Sequence, residues 1–163
     1  KLIPAAVLIP LIIYENEITV LLTRRNKNLL HHPGQISFPG GHVDKHDASP
    51  ERTAIRETYE EVGVSADNIK IIGPLDLYET RTGFSIVPIV GAVFPPFSTK
   101  RDPDEVDEIF EVPLCFCMDT RHHERHNHIF KGQIRQFHAF SYNNYFIWGA
   151  TAGILMNLYE ILK

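Results

Sequence analysis

With 163 residues, 44% of them hydrophobic, the chain can bury roughly two thirds of its unfolded surface, enough for one ordinary core and a single domain over residues 1–163. A formal net charge of -4 gives no broad basic surface, which excludes a nucleic-acid backbone as the expected partner and leaves a small anionic ligand whose charge a metal ion offsets. Cys115 and Cys117 are too close in sequence to staple a secreted fold and point to a reducing, cytoplasmic setting, while the apolar stretch from Leu2 to Tyr14, broken by Pro4 and Pro10, is shorter than the about 20 residues of a membrane-spanning helix, so no membrane partner is expected.

The chain begins at Lys1 rather than at a methionine, which leaves room for a preceding segment. Ala5 to Tyr14 and Ile18 to Arg24 are aliphatic, β-branched runs separated by Glu15-Asn16-Glu17, and they read as two strands joined by a tight turn. Gln35 to Asp44 then places Gly40 and Gly41 side by side, where backbone freedom is expected to let a loop fold back on the next element. That element is a helix over Pro50 to Val62. Ser49 suits its N-cap, Pro50 its first position, Glu51 its positive end and Gly63 its stop. Ile69 to Gly73, Ile86 to Val93, Ile109 to Val112, Ile134 to Tyr142 and Tyr145 to Trp148 read as further strands, with loops at Pro95-Pro96 and Asp102-Pro103-Asp104. Ile154, Leu155, Leu158, Ile161 and Leu162 repeat at helical spacing, which predicts a closing helix over one face of a sheet several strands wide.

On the central helix Glu57, Glu60 and Glu61 stand at i, i+3 and i+4, so their carboxylates converge on one patch. An exposed acidic face would cost only about 0.2 to 0.5 kcal/mol per pair. Partly buried, each pair about 6 Å apart repels by about 3 kcal/mol at an effective dielectric near 20, which calls for a cation. Mg²⁺ or a similar hard ion takes oxygen ligands, keeps several waters and bridges carboxylates to phosphates. Three acids on one face therefore suit a metal-dependent phosphoryl or pyrophosphoryl reaction, with Arg56 pairing to one of them and the glycine loop closing over the metal.

Two other clusters carry competing readings. His122, His123, His126 and His128 follow Cys115 and Cys117, both residue types that bind zinc, but their spacing matches no familiar finger and polar histidine-rich stretches are usually solvated loops. Tyr142, Tyr145, Phe146 and Trp148 could stack on a base, although aromatics at strand spacing are more often core.

Arg56-Glu57-Thr58-Tyr59-Glu60-Glu61-Val62-Gly63-Val64 resembles the second half of the Nudix hydrolase box, with Thr58 at an apolar position. The first half departs from it: after Gly41 and five intervening residues stands Asp47 in place of Glu, and eight residues, not seven, separate it from Arg56. That spacing resembles the coenzyme A pyrophosphatase branch. So does the upstream run Leu21-Leu22-Thr23-Arg24-Arg25, Gly34 and Phe38-Pro39-Gly40-Gly41, although Asn26 replaces a small residue and Leu30 a second Arg. The likeness continues through Gly83-Phe84, Val87-Pro88, Glu105-Val106 with Glu108, Val112-Pro113-Leu114 and Ile147 to Thr151.

The resemblance implies an α/β (α+β) Nudix fold, a mixed β-sheet between α-helices, and an Mg²⁺- or Mn²⁺-dependent cleavage of a diphosphate by water. For coenzyme A the products are phosphopantetheine and adenosine 3',5'-bisphosphate. It places metal binding on Glu57, Glu60 and Glu61, makes Arg56 the orienting partner, and leaves Glu60, Glu105 and Glu108 as candidates for the water-activating base. Arg24, Arg25 and Arg81, with Gly40 and Gly41, are the candidate substrate contacts; Lys27, Lys100 and Arg101 are further cations. ADP-ribose, a dinucleotide or an oxidised nucleoside triphosphate are alternative substrates, and a non-catalytic nucleotide-binding or zinc-binding module is the alternative to an enzyme. Oligomeric state is not legible in these residues, and a homodimer stays open.

Overall fold

The computed structural model describes every residue from Lys1 to Lys163. In chain order the elements are β1 (Ile3–Ile13), β2 (Ile18–Arg25), β3 (Ile36–Ser37), β4 (Gly40–His42), α1 (Pro50–Val62), β5 (Ile69–Pro74), β6 (Tyr78–Glu79), β7 (Phe84–Val93), β8 (Val106–Pro113), α2 (Leu114–Met118), β9 (Glu124–Phe130), β10 (Gln133–Tyr142), β11 (Tyr145–Trp148) and α3 (Gly149–Leu162). They form two sheets, one of eight strands with the path β3-β2-β1-β7-β5 and one of three with the order β11-β10-β9. The large sheet is mixed, as expected: β1 runs parallel to β7 over Ile3 to Ile12 and antiparallel to β2 and β4.

The reason β1 reads as a nearly unbroken apolar run is that both its faces are covered. Ala6 and Leu8 pack with Ala54 of α1 and with Ile89, and Ile12 lies with Leu21, Val62, Val64 and Val93. Ile9 and Leu11 turn the other way, into a core of Val20, Leu22, Phe38, Val90, Phe140, Ile147, Ile154, Leu155 and Leu158. The large sheet is thus held between α1 on one face and α3 with the small sheet on the other. β1 also divides its edge, since its last residues pair with β2 while Ala5 to Val7 pair with His42 to Gly40.

The helix ends follow the local signals. Ser49 accepts from the Arg52 N–H, and Gly63 takes φ 74° and donates its N–H to the Tyr59 carbonyl. Thr58, at an apolar position of the box, is buried because its Oγ1 donates to the Ala54 carbonyl at 2.7 Å and needs no other partner.

One expectation is corrected. The stretch around His122 to His128 is not a solvated loop: Glu124–Phe130 is strand β9, paired with β10 from Glu124↔Ala139 to Phe130↔Gln133. Lys131 and Gly132 both have positive φ in the connecting turn, which matches the twist of a two-residue hairpin. Of the aromatics here, Tyr142 and Tyr145 pack against the main core, whereas Phe146 and Trp148 remain half-exposed.

Phe140 is completely buried where β10, β11 and α3 meet. Phe140→Ala should lower the unfolding free energy by about 3 to 5 kcal/mol, read from the urea midpoint; a loss below about 1 kcal/mol would show that this junction does not hold the small sheet in place.

Candidate active site

The helical spacing of Glu57, Glu60 and Glu61 sets three different environments. Glu61 faces the sheet and is 4% exposed, Glu57 is largely enclosed, and Glu60 lies open to solvent. Burial is the main reason that the Glu61 carboxyl is pushed up to about 8, with the charges of Glu57 and Glu105 adding to it and Arg25 and the Gly40 amide opposing it. Burial likewise raises Glu57, with Glu60 and Glu105 adding and Arg56 opposing. The charge of Glu105 thus falls on both Glu57 and Glu61, although Glu105 is 44 residues further along than Glu61.

Arg56 is the hub of the exposed side. It reaches Asp47 through Nε at 3.0 Å and Nη2 at 2.8 Å, Glu57 at 2.8 Å, Glu60 at 3.1 Å and the His42 carbonyl at 3.2 Å. Planar guanidinium suits this fork. Asp47 also accepts from Thr53 Oγ1 at 2.8 Å and from the Asp44 N–H at 2.9 Å. These bonds, above all those from Arg56, hold its carboxyl well below the usual range. The shorter acid and the extra residue before Arg56 therefore still deliver a bidentate pair. Residue reasoning gave Asp47 no role, because nothing local shows which carboxylate Arg56 will meet.

The glycine pair acts differently from expectation. Positive φ occurs at Gly34, Gly63, Gly83, Gly132 and Gly149 but not at Gly40 or Gly41, so conformational freedom is not what these two supply. They supply space. A Cβ on Gly40 would sit 2.5 Å from the Ala6 carbonyl oxygen and 2.6 Å from Val7 Cα, and a Cβ on Gly41 would sit 2.6 to 2.9 Å from the Glu57 carboxyl group.

The candidate arginines separate. Strand alternation puts Arg24 and Arg25 on opposite faces. Arg25 lies on the α1 side, where its charge falls on Glu61 and its Nε is buried without a hydrogen-bond partner. Arg24 pairs with Glu108 at 3.3 Å and lies 5.2 Å over the Tyr145 ring, while the Tyr145 hydroxyl donates to Glu108. Arg24 and Glu108 are thus engaged with each other and with β11 rather than gathered with the acids. Arg81 is exposed in the turn between β6 and β7, its charge falling on Tyr78. Leu30 is 93% exposed.

As the side chains stand, no three His, Cys, Asp or Glu residues are grouped closely enough to hold a metal, and Arg56 is bonded to both Glu57 and Glu60. The donor chemistry nonetheless fits a hard divalent cation. Glu57 and Glu61 are enclosed carboxylates that burial pushes up, Glu61 further by the charge of Glu57, and the absent Cβ of Gly41 leaves room at the Glu57 oxygens. Zinc has no comparable set: Cys117 is buried with its thiol pushed up to about 12, His123 Nε2 meets the Cys117 carbonyl oxygen at 2.8 Å, and His126 pairs with Glu124 at 2.7 Å.

The NUDIX domain family matches residues 3–134. A protein from Enterobacter sp. (strain 638) named "Uncharacterized Nudix hydrolase NudL" is 38% identical over 154 residues, covering 94% of this chain and 80% of its own. The NudL protein of Escherichia coli (strain K12) is 37% identical over the same shares. Among solved structures, the NUDIX domain of Shewanella oneidensis NrtR complexed with ADP ribose superposes with a TM-score of 0.61 at 14% identity, over 100% of this chain and 90% of that one. A C. elegans Ap4A hydrolase binary complex gives 0.58 at 21% identity, over 68% and 80%. At these identities the two structures bear on the fold alone.

The two glycines should part company on substitution. Gly40→Ala forces a methyl into the β1 backbone and should lower the melting temperature clearly. Gly41→Ala meets only the movable end of Glu57, so it should melt near the native temperature while the displaced carboxylate depresses turnover. Equal melting of the two variants would refute the distinction. Asp47→Asn should destabilise the protein at pH 7. A carboxyl depressed in the folded state contributes stability above its unfolded pKa of about 3.9 and loses it as the pH falls below, so the gap in urea midpoint should persist from pH 7 to 5 and shrink by pH 3. A gap independent of pH would show that the pair does not act through charge.

Proposed function

Because this chain belongs to the NUDIX domain family and is a Nudix-type hydrolase of phosphoric anhydride bonds, we propose that it cleaves the diphosphate of coenzyme A or its derivatives into phosphopantetheine and adenosine 3',5'-bisphosphate. The observation that carries the reading is that the residues resembling the coenzyme A-type signature meet the acids: Arg25 and the Gly40 amide face Glu61, and Gly41 abuts Glu57. A strand-and-loop signature that touches the acids of α1 is suited to presenting one class of diphosphate to them. The helix α3, beyond the matched residues, shares the principal core, which supports reading residues 1–163 as one such domain. No helix is long and apolar enough to cross a membrane, and the proposal takes the enzyme as cytoplasmic.

Members of this family use divalent cations, here Mg²⁺ or Mn²⁺ in our reading, with Glu57, Glu60 and Glu61 as the residues that would hold the ion. Bound there, the cation supplies Lewis-acid polarisation of the diphosphate and lowers the pKa of water. Arg56 orients Glu57 and Glu60, and Asp47 orients Arg56. Arg25, with a buried Nε free of partners, is the substrate-phosphate contact best placed beside the acids. Among the base candidates, Glu60 bonds to Arg56, and Glu108 to Arg24 and Tyr145. Glu105 is exposed and its charge falls on Glu57 and Glu61. Glu105 therefore takes the proton as water forms its bond to phosphorus, the bridging P–O bond breaks, and two monophosphates leave.

The test is to incubate the protein with coenzyme A, ADP-ribose and diadenosine polyphosphates, with Mg²⁺, Mn²⁺ or chelator, and to follow product masses. Phosphopantetheine released from coenzyme A in a metal-dependent way is expected; cleavage of ADP-ribose alone would move the substrate and keep the enzyme. Glu60→Gln and Glu61→Gln should lose most turnover with the fold intact, and Mn²⁺ should raise the melting temperature of the native protein more than that of Glu61→Gln. Native rates in both variants would overturn the assignment of the acids.

A further inference from the structure

Asn26 comes immediately after Arg25 at the end of β2, stands where the coenzyme A-type signature has a small side chain, and is only 9% exposed. Both polar atoms of its side chain are bonded. Nδ2 donates to the Pro103 carbonyl at 2.7 Å and Oδ1 accepts from the Asn28 N–H at 2.8 Å. Its backbone N–H donates to the Glu105 carbonyl at 2.9 Å. Two of these bonds thus end on the residues either side of Asp104, in a segment without regular structure. From the other direction the same segment is tied to the end of α1, where the N–H groups of Lys100 and Asp102 donate to the carbonyls of Val62 and Glu61 at 2.8 and 2.9 Å.

The turn is closed from within, the Asp102 carbonyl accepting from the Glu105 and Val106 N–H groups at 3.2 and 2.8 Å, but these bonds do not set where the turn and its exposed carboxylate stand relative to α1. Here it is pinned on both sides, by α1 through Glu61 and Val62 and by the end of β2 through Asn26. We propose that Asn26 is a positioning residue for Glu105, clamping the 102–106 turn so that the Glu105 carboxylate stands against Glu57 and Glu61. The proposal rests on the reading of Glu105 as the water-activating acid. It also accounts for a larger side chain at this position, since only a donor that reaches across the gap can close on the Pro103 carbonyl.

The test is a double-substitution cycle of Asn26→Ala and Glu105→Gln, with hydrogen exchange measured alongside. Asn26→Asp, which keeps the shape and the acceptor for Asn28 but cannot donate to Pro103, serves if the alanine variant fails to fold. The expected result is faster exchange of the 104–106 amides, a kcat lowered about 10- to 100-fold with KM little changed, and no further loss when Asn26→Ala is added to Glu105→Gln, because two residues acting as a unit do not add. Unchanged exchange, losses that multiply, or native kcat in Glu105→Gln would each overturn the proposal. The same cycle is read on Mn²⁺ affinity by calorimetry. Should the native protein cleave none of the diphosphates, the functional reading fails and this second cycle decides alone: equal, non-additive weakening supports the clamp, and additive or absent weakening refutes it.

Discussion

Arg56 is shared by Asp47, Glu57 and Glu60 and also caps the His42 carbonyl, and most of the site is arranged by that sharing. A planar donor fork with one positive charge fixes three carboxylates from two segments, the loop before α1 and α1 itself. It leaves Glu61, the one of the three α1 acids it does not touch, on the buried side with only Arg25 and the Gly40 amide to offset it. The site therefore has a neutralised outer half and an under-neutralised inner half. A chain selected for stability alone would not bury a carboxylate against two others; a chain that admits a divalent ion and an anionic phosphate would.

The large sheet makes that division possible. β1 is covered on both faces, so α1 docks on one side while α3 and the small sheet close the other. Gly40 lets β4 approach β1 at a distance no side chain permits, and the same approach brings Gly41 under Glu57. Backbone pairing and acid placement are thus one packing event. The segment holding Glu105 approaches from the opposite direction, tied to the carbonyls at the end of α1 and to Asn26.

Much of this was legible residue by residue. α1 runs from Pro50 to Val62 with the caps that Ser49 and Gly63 announce, and Glu57, Glu60 and Glu61 share a patch because helical geometry requires it. The illegible part involves partners far along the chain. Polar β9 reads as a loop on its own, and it becomes a strand only because β10 supplies its hydrogen bonds. Arg24 and Arg25 look equivalent in a run of residues, yet the pleat sends one to Glu108 and Tyr145 and the other to Glu61. The glycines signal a special backbone, while the structure uses their missing side chains instead.

By itself the sequence determined where the chain turns, which helix carries the acids, that the acids lie together, and through its motifs which family it resembles. Those properties depend on neighbours within a turn or two, where geometry is set by φ, ψ and period. The tertiary structure decided which acid is buried, which carboxylates Arg56 grips, which arginine lies beside Glu61, and that the charge of Glu105 falls on Glu57 and Glu61. These outcomes come from packing between segments far apart in the chain, where close contact and exclusion of water, rather than local spacing, set each group's charge and reach.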